Sequence, residues 1–155
     1  MITYLEQALE SFLTARLAAQ SATLSGVTYE VRAATKKTAL PEDRHTINCK
    51  VRGTPKRLRK LIDFDVVCEL ISPMRSSKVT ETTHALLEEA IRIAWEGADD
   101  ADAAAAATAF DTAVQAKVSG WHSGGLYPGD WEPANEENGW QPGYAIPIGI
   151  AVDGV

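Results

Sequence analysis

The stretch Leu61–Ile71, LIDFDVVCELI, decides the fold because it has the clearest periodicity in the chain. Apolar and polar side chains alternate along it, which is typical of a strand with one buried face. We therefore predict a strand over residues 61–71 that ends before Pro73. The residues that share its apolar face are Ile62, Phe64, Val66, Cys68 and Leu70.

Two shorter runs upstream also alternate, VTYEVR at residues 27–32 and HTINCKV at residues 45–51. We expect two more strands that form a hairpin with a long connection. That connection is longer than a hairpin needs, and loops of this size are usually functional or disordered. Its two lysines, Lys36 and Lys37, are candidate partner-interface residues, in a loop expected to become ordered on a neighbouring molecule.

The run GYAIPIGIAV predicts a fourth strand over residues 144–152 with one large and one small face. Pro147 lies on the small face and lacks an N–H group, so we place this strand at an edge of the sheet. An open edge could accept a partner. The apolar side chains of the large face are Ile146, Ile148, Ile150 and Val152.

Three helices are predicted over residues 3–20, about 80–96 and about 101–116. Thr3 and Glu6 have the spacing of a capping box, and Thr80 is a suitable N-cap for the second helix. Carboxylates and a run of five alanines favour the third helix. The first helix has an apolar stripe formed by Leu5, Ala8, Leu9, Phe12, Leu13 and Leu17.

These elements predict one α+β domain over residues 1–155. We expect an antiparallel or mixed sheet of about four strands with helices packed on one face, and a turn-rich loop over residues 119–143. The length and the 45% hydrophobic content fit a single globular domain. No run reaches the ~20 apolar residues that span a bilayer, so we expect a cytosolic product. Cys49 and Cys68 fit reduced core thiols.

The net charge of −6 is unevenly distributed along the chain. Residues 1–60 contain 11 basic and five acidic residues, a net charge of +6. Residues 61–155 contain four basic and 16 acidic residues, a net charge of −12. The densest basic stretch is 50–60, which contains Arg57 and Arg59. These charges could be ordinary solvated faces, or they could attract neighbouring copies in a head-to-tail contact.

Few residues suggest chemistry. Asp63 and Asp65 could hold a divalent metal or act as acid and base, but we favour a solvated face with Lys50 and Arg52 as cross-strand partners. For His84 and Glu88, which lie four residues apart, we favour a solvated helix face over a zinc site. The sequence contains no phosphate-binding loop and no nucleophile elbow. We therefore expect no enzyme and no catalytic, cofactor-binding or metal-binding residues.

The tract from Gly120 to Gly143 is rich in glycine and carries four large aromatic residues. They could stack on sugar rings, act as hot spots in a protein interface, or fold back over the subunit's own core. We favour an interface for at least one of them. The aromatic candidates for this interface are Trp121, Tyr127, Trp131 and Trp140.

The order of elements resembles that of the tail terminator, or tail-completion, proteins of long-tailed bacteriophages. The similarity rests on an opening helix, TYLEQALESFLTARL, a strand hairpin with a long loop, a strand that passes into a helix, LIDFDVVCELISP to THALLEEAIRIAW, and the closing strand GYAIPIGIAV. No single motif within these segments is specific to that family.

The resemblance implies a homo-oligomeric ring, commonly a hexamer, that ends tail-tube growth and joins the tail to the head connector. The implied partners are further copies of the chain, the tail-tube protein and head-connector or neck proteins, with no cofactor, membrane or sequence-specific nucleic acid. The implied location is the virion, assembled in the host cytoplasm. The alternatives are another neck or minor tail protein, a small carbohydrate-binding module that uses the tryptophans, and a small hydrolase that uses Asp63 and Asp65.

Overall fold

A computed structural model of the chain describes residues 2–36, 38–73, 77–124, 126, 129–133 and 143–152. The described residues form an α+β fold with three helices and a mixed sheet, as predicted. In chain order the elements are α1 (Ile2–Ala18), β1 (Tyr29–Ala33), β2 (His45–Leu58), β3 (Leu61–Ile71), α2 (Glu81–Glu96), α3 (Asp100–Lys117), β4 (Trp121–Ser123), β5 (Asp130–Glu132) and β6 (Gly143–Val152).

The sheet has six strands in the described part of the chain, not about four. Their order is β1-β2-β3-β6-β4, and β5 also pairs with β6. The two additional strands, β4 and β5, have three residues each and lie inside the predicted loop 119–143. Such short strands are hidden from periodicity analysis, and glycines and prolines surround them.

The predicted hairpin between the first two strands is wrong, because β1 and β2 are parallel. Tyr29 lies opposite His45 and Ala33 lies opposite Cys49, so both strands run in the same direction. A parallel pair needs a connection that returns to the starting end, usually of a dozen or more residues. The unusual length of the segment between β1 and β2 therefore fits the return that a parallel pairing requires.

Two carboxylates of α1 bind backbone groups beside this parallel pair. The Glu6 carboxylate accepts a hydrogen bond from the Val51 N–H at 2.9 Å, and that of Glu10 accepts one from the Ala33 N–H at 3.1 Å. The predicted capping role of Glu6 is wrong, since α1 already includes Thr3 and Glu6 is only 3% exposed. Burial is the main cause that raises the pKa of the Glu6 carboxyl.

One face of the sheet packs against the three helices and forms a single core. The predicted apolar stripes of α1 and β3 are buried throughout. Phe12, Trp95 and Phe110 join the three helices in one aromatic cluster, with ring centroids 4.7 to 5.5 Å apart. The helices therefore lie on one side of the sheet, and we call the opposite side the outer face.

The connection between α2 and α3 depends on a glycine. Gly97 has a φ of +82°, and an added Cβ would overlap the backbone nitrogen of Ala103. The Thr80 side chain caps α2 and the Asp99 side chain caps α3, each by accepting a backbone N–H bond. Gly97 and the cap at Asp99 fix a tight corner between two helices that pack on the same core, whereas the Thr80 cap lies at the opposite end of α2.

Pro147 does not lie on an open edge strand, because β6 pairs with β3 on one side and with β4 and β5 on the other. Between these two short strands, no described residue forms a ladder pair on this side with residues 146–149 of β6. The Gly149 carbonyl accepts a bond from the Gly124 N–H, so it points to this side. Backbone groups two residues apart in a strand point to the same side, so the nitrogen of Pro147 also points toward β4 and β5. An N–H group is not required at that position, which makes proline acceptable there.

Among the described residues, no helix combines the length and the apolar character needed to cross a membrane.

Candidate functional site

The residues Lys56–Leu61 comprise the end of β2, the turn at residues 59 and 60 and the first residue of β3, and we call them the basic tip. Four of the six side chains are cationic, and none of these makes an ion pair with a described residue. Leu58 is 60% exposed and Leu61 is 37% exposed. The predicted interface residues Arg57 and Arg59 therefore lie beside exposed apolar side chains, a combination that suits a docking surface.

The acidic corner, which we define as residues 97–102, lies at the other end of α3 from the basic tip. The C-terminal end of α3 leads into β4, which pairs with the end of β6, and Ala151 of β6 lies opposite Leu61. The helix has 18 residues, so its ends are separated by about 27 Å. Asp99 and Asp100 are exposed at the corner, whereas the Asp102 carboxylate is held by Arg16 at 2.9 Å.

A cleft of about 570 Å³ opens on the outer face beside the basic tip. A bulge at residues 53–55 places two extra residues in β2 opposite β3 and forms one wall of the cleft. The predicted small face of β6 contributes Pro147 and Gly149 to its lining. Asp63 and Asp65 of β3 also line it, so this pair faces away from the core as predicted.

Arg52 is the cross-strand partner predicted for these carboxylates. Its guanidinium contacts Asp65 at 3.1 Å and also Glu132 of β5 at 2.6 Å. Lys50 lies opposite Val67 and not opposite an aspartate. Within the described ranges, no group of three or more histidine, cysteine or acidic side chains is arranged to hold a metal ion.

The described tryptophans of the aromatic tract pack against the subunit itself. Trp121 is 8% exposed and its ring lies 6.3 Å from that of Phe64. Trp131 is half-buried and packs edge-on against Tyr144 at 5.6 Å. The Tyr144 hydroxyl accepts a bond from the Gly129 N–H and donates one to Glu96, which ties the tract to α2.

These contacts favour the interpretation of a tract folded over its own core at Trp121, and they leave Trp131 partly accessible. Tyr127 and Trp140, the other two aromatic candidates, lie outside the described residues. So does Lys37, whereas Lys36 is exposed in the loop between β1 and β2. The start of that loop is held by a bond of 2.9 Å from the Arg32 guanidinium to the Thr38 carbonyl.

A chain of hydrogen bonds joins two histidines that sequence reasoning did not connect. The Ser72 hydroxyl lies 2.6 Å from Nδ1 of both His45 and His84. His45 Nε2 lies 2.7 Å from the Thr83 hydroxyl, and His84 Nε2 lies 2.8 Å from the Glu88 carboxylate. The predicted solvated face is therefore wrong for His84, whose side chain is only 17% exposed and bonded at both nitrogens, whereas the Glu88 side chain is 39% exposed.

The only available signal for this network was the four-residue spacing of His84 and Glu88, which places them on one helix face. Ser72 and His45 are distant in sequence from each other and from α2. The fold brings them together because β2 begins where β3 ends, at the start of α2.

The chain matches no protein-family model, and a search of curated proteins finds no significant match. The function proposed below therefore depends on the surfaces of this subunit and on the resemblance in the order of its elements.

Proposed function

We propose that the chain is a structural protein of a bacteriophage virion, of the tail terminator kind, that assembles head to tail into a ring. In this role the ring ends growth of the tail tube and joins the tail to head-connector or neck proteins. Six copies is the expected number. The chain performs no catalysis in this account and needs no cofactor.

The observation that carries the proposal is the pair of exposed leucines within the basic tip, whose cations make no ion pair with the described part of the chain. Leu58 and Leu61 leave apolar surface in water that a neighbouring subunit could cover. The surrounding cations would direct the tip toward an acidic surface and away from another tip. A contact between two different surfaces is heterologous, and such contacts close into rings when the rotation between subunits allows it.

The acidic corner is the complementary surface that we assign on the neighbouring copy. It lies about 27 Å from the tip end along α3, so one subunit can use both surfaces at once. This arrangement extends the charge asymmetry of the sequence to the folded subunit. The cleft on the outer face leaves room for the tail-tube protein beside the subunit contact.

Charge reversal tests the contact. Replacing Arg57 and Arg59 with glutamate should abolish self-association at low salt, and the variant Asp100→Lys should do the same from the other side. Mixing these two variants should restore assembly, because the new charges are again complementary across the contact. The double substitution to lysine at positions 57 and 59 retains the charge and is the matched control.

Electron microscopy of negatively stained assemblies tests the shape. The proposal expects closed rings of uniform diameter that bind at the end of purified tail tubes. Open filaments would retain the heterologous contact and contradict the ring. Assembly that is insensitive to both charge reversals would contradict the assigned surfaces.

A further inference from the structure

Five side chains form the row of hydrogen bonds, namely Glu88, His84, Ser72, His45 and Thr83. When both histidines are neutral, the hydrogens of this row can be placed in one way. A carboxylate only accepts hydrogen bonds, so Glu88 requires the hydrogen of His84 on Nε2. Nδ1 of His84 is then an acceptor, and Ser72 must donate to it. Since Ser72 has no second hydrogen, His45 must donate from Nδ1. Its Nε2 then accepts from the Thr83 hydroxyl.

A second arrangement exists because the last hydroxyl has another acceptor. The Thr83 oxygen lies 3.0 Å from the carbonyl oxygen of Thr80. If one proton enters from solvent at Thr83, each hydrogen can move one step along the chain toward His84. His84 then carries the positive charge and donates to Ser72, which donates to His45. His45 donates from Nε2 to Thr83, and Thr83 donates to the Thr80 carbonyl.

We propose that this row of hydrogen-bonded side chains is a proton relay. In this relay, protonation of His84 switches the buried His45 from its Nδ1–H form to its Nε2–H form. In this step the network takes up one proton from solvent, and no bond between heavy atoms forms or breaks. Every donor has an acceptor in both arrangements, so no heavy atom has to leave its place.

The surroundings explain why the charge settles on His84. Among the described residues, the titratable group that faces it from α2 is Glu88, a carboxylate at 2.8 Å, and the one that faces it from β2 is His45. Ser72 follows β3 and carries no charge. His45 is fully buried, with Tyr29 of β1 beside it in the sheet. Burial, and secondly the charge of His84, lower the pKa of His45 to about 4, so it remains neutral.

The relay ends at the start of α2. Thr83 accepts the Thr80 N–H in the capping box of that helix, and the switch turns the Thr83 hydroxyl from His45 toward the Thr80 carbonyl. Protonation of His84 would therefore change the hydrogen bonding of a helix N-terminus through a buried ring that gains no charge. This makes the junction of β2, β3 and α2 sensitive to pH.

Nuclear magnetic resonance of the full chain with ¹⁵N-labelled histidine tests the relay. During titration from mildly alkaline to mildly acidic pH, the shifts of the two His45 nitrogens should exchange their protonated and unprotonated values as His84 becomes charged. A His45 ring that keeps its hydrogen on Nδ1 throughout the titration of His84 would overturn the proposal.

Two variants separate the relay from a purely structural network. Ser72→Ala breaks the chain, so His84 should still titrate while the hydrogen position on His45 no longer follows it. Glu88→Gln replaces a pure acceptor with a group that also donates, so His45 should show both forms already at alkaline pH. Thr82→Ala, at an exposed position of the same helix turn, should leave the switch intact. Wild-type behaviour in the first two variants would overturn the proposal.

Discussion

At the scale of single residues, His45 makes the stability of the fold dependent on pH. Its pKa is about 4 in the folded protein against 6.5 for a free histidine, because burial disfavours the charged ring. The unfolded chain therefore binds more protons between these values. The stabilisation is fully present above pH 6.5 and is lost as the pH falls toward 4, by about 3 kcal/mol in total.

Urea unfolding at a series of pH values measures this loss. In His45→Gln the side chain does not titrate, so the free energy of unfolding should fall less steeply over the same range. Parallel pH profiles for the variant and the wild type would contradict the assignment to His45.

Glu6 has the opposite pH dependence. Its pKa is raised above the ordinary value of 4.5, so its contribution to stability decreases as the pH rises from 4.5 through the folded value. Its carboxylate also satisfies the Val51 N–H. We expect Glu6→Ala to destabilise the fold by about 1–3 kcal/mol, because a buried donor loses its acceptor.

Glu6→Gln is the matched control for that measurement. It retains an oxygen acceptor and removes the buried charge, so it should cost less than the alanine variant in urea unfolding at neutral pH. An equal loss in both variants would show that packing, and not the bond to Val51, determines the effect.

At the scale of the elements, the turn of the basic tip carries a strained residue. Arg59 has a φ of 52°, a left-handed conformation that costs a residue with a side chain roughly 1–2 kcal/mol. Arg59→Gly should therefore raise the free energy of unfolding by about 1 kcal/mol. Arg57→Gly, placed in the neighbouring strand, should lower it instead, and a gain in both variants would contradict the turn geometry.

The two described tryptophans of the aromatic tract should differ in what they stabilise. Trp121→Ala empties a core site and should cost the subunit about 3–5 kcal/mol in thermal or urea unfolding. Trp131→Ala should cost the subunit less and assembly about 2 kcal/mol or more, the size of an interface hot spot. An equal loss of subunit stability in both variants, with unchanged assembly, would make the whole tract a cover for its own core.

The elements also show how far the sequence could predict the structure. The strand at 61–71 and the helix after Thr80 follow from local periodicity and caps, and both agree with the structure. The parallel direction of β1 and β2 does not follow from local sequence, because it depends on the path of the connection across the folded domain. Glu6 is a similar case, since its partner Val51 is 45 residues away in the chain.

The candidate sites were predictable to different degrees. The exposed cations at 57 and 59 follow from composition alone. The hydrogen-bond network of the two histidines could not be predicted from the sequence. His45 lies 27 positions before Ser72, and Ser72 lies 12 positions before His84. Only the fold brings these side chains within hydrogen-bonding distance.

At the scale of the whole molecule, subunits should associate through the basic tip of one copy and the acidic corner of the next. Exposed charges attract most strongly at low ionic strength and are screened beyond ~10 Å at 0.1 M salt. Assembly should therefore weaken as salt is added, while the apolar contribution of Leu58 and Leu61 persists. Leu58→Ser should weaken assembly at every salt concentration and leave the melting temperature of the subunit nearly unchanged.

The solution mass, measured by light scattering over a concentration series at low salt, tests the central claim most directly. The measured mass should rise with concentration from the 16.7 kDa of one subunit to about 100 kDa, the mass of a closed ring of six copies. It should not rise further. The charge-reversed variant with glutamate at 57 and 59 should stay at the subunit mass. A wild-type chain that remains at the subunit mass at every concentration and with tail tubes present would contradict the account.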